Sequence, residues 1–319
     1  MRTIAASLCL MVAWVLTLAA QVQSPPVFRS GAISVSVAVS VQDRNQPVPG
    51  LEASDFVLYD RDQRQTIDSA SLGAVPIDVT LFLGTNNQSS RAMLADLNTS
   101  IKEMVALLRP ADRVRLLTLG NQVNDAFGWR SSDDPGVLPD VRVGGIQSFY
   151  DGCFLALMHR PDPERRHVVI AISDGVEFGS VVDSTTVLDA ARQADAVMHL
   201  VFVERDGPRF ILDRRKGTSV YTFPSGAFLR TTWLHVLPDL RGIERLEEAA
   251  EATGGTARHT SSPESVVDTF TRVFNDFRQS YVLRYTPTGV DPKGWHDLRV
   301  ELANGRKYTL RARKGYFGG

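Results

Sequence analysis

The residues of this chain that could carry chemistry are six histidines, two cysteines, and acids and hydroxyls gathered in a few short segments. His159, His167, His199, His235, His259 and His296 show neither a His-x-His nor a His-Glu-x-x-His spacing, so no pair is presented to one zinc ion. Cys9 lies in an apolar N-terminal run and Cys153 stands alone beyond it, which excludes an intramolecular disulfide in a processed chain. No base or histidine sits beside Cys153 in sequence, and it reads as a small packed hydrophobe. There is no Gly-x-Ser-x-Gly elbow, and no phosphate-cradling glycine loop is followed by a lysine. The expectation is a protein without catalytic residues, and so not an enzyme. An exported hydrolase is a third reading, but no constellation stands behind it.

The elements that must position any site fall into two styles. Residues 32–41 alternate strictly, with Ile33, Val35, Val37, Val39 and Val41 on one side, which is a strand with one buried face. Phe56–Tyr59 offers another strand. The C-terminus repeats the pattern at Tyr281, Leu283 and Tyr285, at Leu298, Val300 and Leu302, and at Tyr308, Leu310 and Ala312. Neither end has enough strands to stand alone, so the two ends are expected to pair in one discontinuous β-sandwich.

Between them the period changes. Ile77–Leu83 is an apolar run of buried-strand type, interrupted by Asp78. Residues 91–108 carry a helical stripe at Leu94, Leu97, Ile101, Met104, Val105 and Leu108, ending at Arg109 and Pro110. Strands follow at Val114–Leu119, Val168–Ile172 and Val197–Val203, with helices at about 184–194, at 243–252 and from Ser262-Pro263-Glu264 onward. This alternation predicts an α/β domain with a mostly parallel, doubly wound sheet. The expected division is 1–20 as a signal peptide, 25–73 and 279–319 as the two parts of the sandwich, and 74–278 as the inserted α/β domain.

Sheets of this kind bind ligands beyond the carboxyl ends of their strands. The candidate rim is therefore 84–90, 144–151 and 173–180, with Gly84, Thr85, Asn86, Gln88, Ser148 and Asp174 as its residues. Asp174 is either a ligand remnant or the cap of the following turn, and Asp151 reads as an acid serving the dipole of its helix. The long stretch 204–240 leaves the same sheet and shows one hairpin, around 220–223 and 228–234. Its cations read as a solvated loop. Yet Arg214, Tyr221 and Trp233 belong to the residue types that dominate interface hot spots, which makes them candidate partner-binding residues.

Several stretches together resemble the acidobacterial von Willebrand factor A-related proteins. They are Pro47–Phe56 (PVPGLEASDF), Pro76–Val79 (PIDV), Leu108–Val114 (LRPADRV), Ser173–Gly175 (SDG), Thr253–Gly255 (TGG), Gln279–Pro287 (QSYVLRYTP) and Arg311–Phe317 (RARKGYF). The resemblance implies an exported von Willebrand factor A-type domain held in a β-sandwich. It also implies a metal-ion-dependent adhesion site, in which Asp-x-Ser-x-Ser, a threonine and an aspartate hold a divalent cation. Here Gly84 stands at the first Asp position, and Asn86 and Gln88 stand at the two Ser positions. The Thr position falls on Ile146 or Gln147, with Ser148 the nearest hydroxyl, and only Asp174 keeps its type. Losing the lead carboxylate removes a unit charge beside the ion. The expectation is a degenerate site with no metal and no cofactor. Weak magnesium or calcium binding, or a site rebuilt from amide oxygens and used for metal-dependent adhesion, stays open.

Lys and Arg number 35 against 36 Asp and Glu, and without Arg2 of the leader the balance is 34 to 36, so no excess of charge points to nucleic acid. Ile4–Ala20 is apolar and uncharged, with Thr17 and Ala19 as small residues near its end. It predicts a cleaved signal peptide and a periplasmic or secreted protein with no membrane association afterwards, a retained membrane anchor being the alternative reading of a run close to the lower limit for spanning. The expected function is an adhesion-type module that binds a protein or cell-surface ligand.

Overall fold

In a computed structural model, the residues described are 34–73, 75–84, 99, 101–119, 123–131, 148–158, 162, 164–173, 177, 180–203, 209–213, 218–222, 228–231, 242–260, 264–303, 305 and 307–318. The segment read as a signal peptide lies outside them, as does Ile33. No helix among the described residues is long and apolar enough to cross a membrane.

The described residues begin with β1 (Val35–Asp43), β2 (Gln46–Pro47), β3 (Phe56–Asp60), β4 (Gln63–Gln65) and β5 (Ile67–Leu72). The chain then runs through β6 (Ile77–Leu83), β7 (Arg113–Leu119), β8 (Val123–Ser131), α1 (Phe149–Leu157), β9 (Arg166–Ser173), α2 (Ser184–Gln193) and β10 (Ala196–Val203). Next come β11 (Arg209–Asp213), β12 (Thr218–Thr222) and β13 (Phe228–Thr231), followed by α3 (Gly242–Ala252), β14 (Ala257–Thr260) and α4 (Glu264–Arg278). The last strands are β15 (Tyr281–Tyr285), β16 (Gly294–Leu302), β17 (Thr309–Ala312) and β18 (Gly315–Gly318).

Strands from the two ends of the chain pair directly. β1 runs antiparallel to β15, with Val37 opposite Leu283, and antiparallel to β17, with Val41 opposite Leu310. The sheet order is β17-β1-β15-β5, and a second sheet has the order β18-β16-β3-β4. Val35, Val37, Val39 and Val41 join Phe56, Leu58, Tyr281, Leu283, Tyr285 and Leu298 in one core shared by both sheets. The alternation in β1 therefore buries one face, as a half-buried strand should. The other face does not stay in solvent: Ser40 and Gln42 are buried too. They donate to Asp276 of α4 at 2.6 and 2.7 Å, so this helix covers the polar side of the strand.

The core between these sheets has a polar centre. Asp60 is fully buried and accepts from Tyr285 Oη at 2.8 Å and Tyr316 Oη at 3.0 Å, and its other oxygen meets His296 Nδ1 at 2.8 Å. Burial comes first, and the carboxylate behind it, in pushing the Tyr316 phenol up to about 12. Four strands from two sheets thus converge on one carboxylate whose hydrogen bonds are made internally.

The middle of the chain forms a sheet of order β14-β10-β9-β6-β7-β8, parallel except for the antiparallel edge β8. One face packs against α4 through Phe270, Val273, Phe274 and Phe277, and against Ile101, Met104 and Val105 of the helical residues 101–106. The opposite face packs against α1, α2 and α3. Helices on both faces explain why β6 and β9 are buried along their whole length. Periodicity did not mark β8, because Asp125 and Gly128 break the apolar run of an edge strand. α2 begins as expected, with Asp183 accepting from Thr186 N at 2.8 Å.

Asp78, the interruption in the first parallel strand, has a reason. It is 1% exposed and accepts from Arg113 at 2.9 and 2.5 Å and from Arg165 at 2.5 Å. Burial alone would raise its carboxyl, but the hydrogen bonds and charges of the two arginines outweigh it and hold the group below the usual range. Asp112, also buried, accepts from Ile77 N at 2.9 Å, Arg109 N at 2.8 Å and Arg278 Nη2 at 2.6 Å. The amino ends of the strands are thereby tied to the end of α4.

Two outcomes follow from these buried groups. Asp78→Ala would leave Arg113 and Arg165 facing each other without their carboxylate. It should cost about 1–3 kcal/mol in urea denaturation, because both arginines are partly exposed and water recovers part of the lost interaction. His199 is buried in β10 and its Nδ1 accepts from Thr256 N at 3.2 Å. Burial, then the charges of Arg311 and Arg258, push its pKa down to about 3. An unfolded histidine takes up a proton near pH 6.5, so the neutral buried ring contributes its stability above about 6.5 and loses it as pH falls toward 3. Melting temperatures measured between pH 7 and 5 should fall on acidification, and His199→Gln should flatten that fall.

Candidate functional site

The carboxyl ends of β6 and β9 meet the start of α1. Where the apolar run of β6 stops, Gly84 N donates to Ile172 O at 2.8 Å, which extends the ladder one residue past the strand. A methyl group on Gly84 would stand 2.8 Å from Ser173 Oγ, 3.0 Å from Ser173 Cβ and 3.3 Å from the Phe149 ring. The glycine is thus set by close approach, not by a need for unusual backbone angles. Ser173 is buried, and Phe149 stacks on Phe82 at 5.4 Å. One turn into α1, a Cβ on Gly152 would fall 1.9 Å from the Phe82 ring, so the helix lies directly on the sheet.

The start of α1 would leave its first backbone N–H groups without partners unless something capped them. Ser148 is the N-cap residue, yet its side chain makes no capping bond to the helix, and its carbonyl accepts from Gly152 N at 3.1 Å. A carboxylate from elsewhere does the capping. Glu177 accepts from Tyr150 N at 3.0 Å, from Ser180 N at 2.8 Å and from Ser180 Oγ at 2.8 Å. Ser180 Oγ in turn accepts from Asp151 N at 3.2 Å. Asp151 does not use its carboxylate on its own helix: it accepts from Val181 N at 2.9 Å and Val182 N at 3.0 Å. Helix and loop therefore cap each other with one acid apiece, and a negative group sits at the positive end of the helix dipole. Cys153, one turn on, is fully buried, and burial followed by the Glu177 charge pushes its thiol pKa up, away from the reactive thiolate.

Of the residues expected on the rim, Gly84 and Ser148 are placed here, at the end of β6 and the start of α1. Thr85, Asn86, Gln88 and Asp174 lie outside the described residues, as do Arg214 and Trp233. Tyr221 lies on β12, opposite Phe210 of β11 and Leu229 of β13. The stretch 204–240 thus contains a three-stranded antiparallel sheet where the sequence suggests one hairpin; the added strand, β11, has only Phe210, Ile211 and Leu212 as apolar residues between Arg209 and Asp213, too short a run to mark a strand by pattern. The sequence places Glu177 and Ser180 inside the candidate rim segment 173–180 but gives neither a role. Their spacing of three is a weak local signal, and the partner that gives it meaning, Tyr150 N, is 27 residues away.

Among the described residues of the rim, the two carboxylates are engaged with protein donors, while Asn86, Gln88 and Asp174 of the adhesion-site pattern lie outside those residues. Both oxygens of Glu177 accept from protein donors, Asp151 is likewise engaged, and Gly84 offers no side-chain oxygen. Among the described residues no group of three or more His, Cys, Asp or Glu side chains could hold a metal ion. A hard divalent cation of the magnesium or calcium kind wants six or more oxygens, with carboxylates among them.

No protein-family profile matches the chain, and no curated protein matches it. Solved structures with a similar course of chain include the conserved hypothetical protein BatB from Bacteroides thetaiotaomicron, at 15% identity and a TM-score of 0.42, covering 63% of this chain and 98% of that one. The ArnB paralog VWA2 from Sulfolobus acidocaldarius aligns at 10% identity and a TM-score of 0.45, covering 87% of this chain and 75% of that one. A von Willebrand factor type A protein from Catenulispora acidiphila aligns at 9% identity and a TM-score of 0.47, covering 91% and 75%.

The tight approach at Gly84 can be checked directly. Gly84→Ala should destabilise the protein by about 1–3 kcal/mol, as overpacking in a filled core does. Adding Ser173→Gly removes both nearest atoms and should recover part of that loss in chemical denaturation. A neutral Gly84→Ala would mean that the end of β6 has more room than these distances allow.

Proposed function

We propose that this chain is an exported binding module of von Willebrand factor A type, its parallel sheet inserted between the two halves of a β-sandwich. In this reading it docks a protein or cell-surface ligand on the loops at the carboxyl ends of β6, β9 and β10, without a metal ion and without catalysis. The observation that carries the reading is the capping of α1 by Glu177. A carboxylate of the protein itself occupies the backbone donors and the positive helix end, where an ion-bridged acidic ligand would otherwise be held. The sheet order, with one antiparallel edge and helices on both faces, supports the architecture. The segment containing β11, β12 and β13 leaves β10 at its carboxyl end, which puts an aromatic- and arginine-bearing insertion next in chain to the rim.

Magnesium titrated by calorimetry should show no binding tighter than about millimolar, roughly −4 kcal/mol. Micromolar binding would overturn the metal-free reading. A ligand captured from the native envelope should stay bound in EDTA. The variant combining Arg214→Ala, Tyr221→Ala and Trp233→Ala should weaken that capture without lowering the melting temperature. Loss of stability with capture intact would make the insertion structural instead.

A further inference from the structure

A group of arginines on the other side of the parallel sheet, away from α1, is not balanced by acids. Arg258 of the edge strand β14 stands in register with Val201 of β10, and Val201 belongs to the core face covered by α4. Arg272 and Asp276 are four residues apart on α4 and so lie one above the other on its surface. From the sandwich, Arg311 of β17 reaches Asp276, whose other oxygen is already taken by Ser40 and Gln42. Of these three guanidinium groups only Arg311 pairs with the carboxylate, and its other donors among the described residues, Ser40 and Gln42, also come from the sandwich.

Among the described residues neither Arg258 nor Arg272 has an ion-pair partner, and the Nε atoms of Arg258 and Arg311 are buried with no hydrogen-bond acceptor. Burial, then the like charges of Arg272 and Arg311, lower the proton affinity of the Arg258 guanidinium, with only Asp276 acting against them. The amino end of the sheet shows what a closed arrangement looks like: there Asp78 takes two arginines bidentately or at short range, and Asp112 takes a third. A like-charged cluster with unused N–H donors is costly by itself. It matches the geometry by which forked guanidinium groups hold an oxyanion.

We propose that Arg258, Arg272 and Arg311 form a binding site for a small tetrahedral oxyanion of the phosphate or sulfate class, at the junction of α4, β14 and β17. The anion would supply acceptors to the unused Nε donors and neutralise the surplus of positive charge. Because the cluster joins the sandwich to the parallel sheet, a bound anion would also fasten the two together and raise the stability of the whole chain. None of this depends on the reading of the rim.

The test uses the full processed chain and inorganic phosphate, with sodium chloride at equal ionic strength as the reference. Phosphate should raise the melting temperature beyond the chloride control and show saturable binding by calorimetry. Arg272→Gln and Arg258→Gln should each weaken that binding by about tenfold or more. Arg272 is exposed, and relieving like-charge repulsion should leave the phosphate-free melting temperature of its variant unchanged or higher. That combination separates a binding role from a merely structural one. Arg299→Gln, an exposed arginine paired with Glu301 elsewhere on the sandwich, should bind phosphate as the wild type does. A wild-type response no larger than that to chloride overturns the proposal. So does a phosphate response that survives both Arg258→Gln and Arg272→Gln.

Discussion

The rest of the structure depends on the antiparallel pairing of Val35–Asp43 with Tyr281–Tyr285 and Thr309–Ala312. These strands are separated by more than two hundred residues of chain, so their meeting closes a loop that contains the whole parallel sheet. Closure over that length carries an entropy cost that grows only slowly with loop size. It is offset by apolar burial: Val37, Val39, Leu58, Leu283 and Tyr285 are all fully buried in the core that the pairing creates. The same strand ties in α4, since Ser40 and Gln42 reach Asp276 from the face of β1 that does not enter that core.

Charge is used in three different ways along the chain. At Asp60 a single carboxylate is saturated by two phenols and an imidazole inside the sandwich. At the amino ends of the parallel strands, Asp78 and Asp112 gather arginines from separate elements, which fixes where those elements start. At the carboxyl ends the acids bind backbone instead: Glu177 and Asp151 exchange caps between α1 and the loop after β9. A carboxylate spent on backbone N–H groups is held by geometry and is no longer free to bind an ion. The described part of the rim is thus held by internal hydrogen bonds.

The candidate site was partly legible. That Gly84 offers no side-chain oxygen is plain from its residue type alone. Its contact with Ser173 and Phe149, which excludes a side chain there, depends on how closely β6, β9 and α1 approach. Asp151 was read as an acid for its own helix dipole, whereas its carboxylate accepts from Val181 and Val182. Sequence spacing cannot reveal such a partner, because the loop after β9 returns to α1 only when the sheet is assembled.

What the sequence determined by itself is local and periodic. Alternation at 35–41 marks a half-buried strand, apolar runs at 77–83 (interrupted at Asp78) and 168–172 mark strands covered on both faces, and the stripe on α4 marks a helix with one broad apolar side. Each follows from side-chain direction along a single element, which neighbours in sequence are enough to fix. What only the tertiary structure decided is which polar groups meet. The burial of Asp78 between two arginines, of Ser40 against Asp276, and of Glu177 at the start of α1 all join residues far apart in the chain. Hydrogen bonds and ion pairs act over a few ångströms and have no period. Their partners are therefore set by packing, after the apolar pattern has placed the elements.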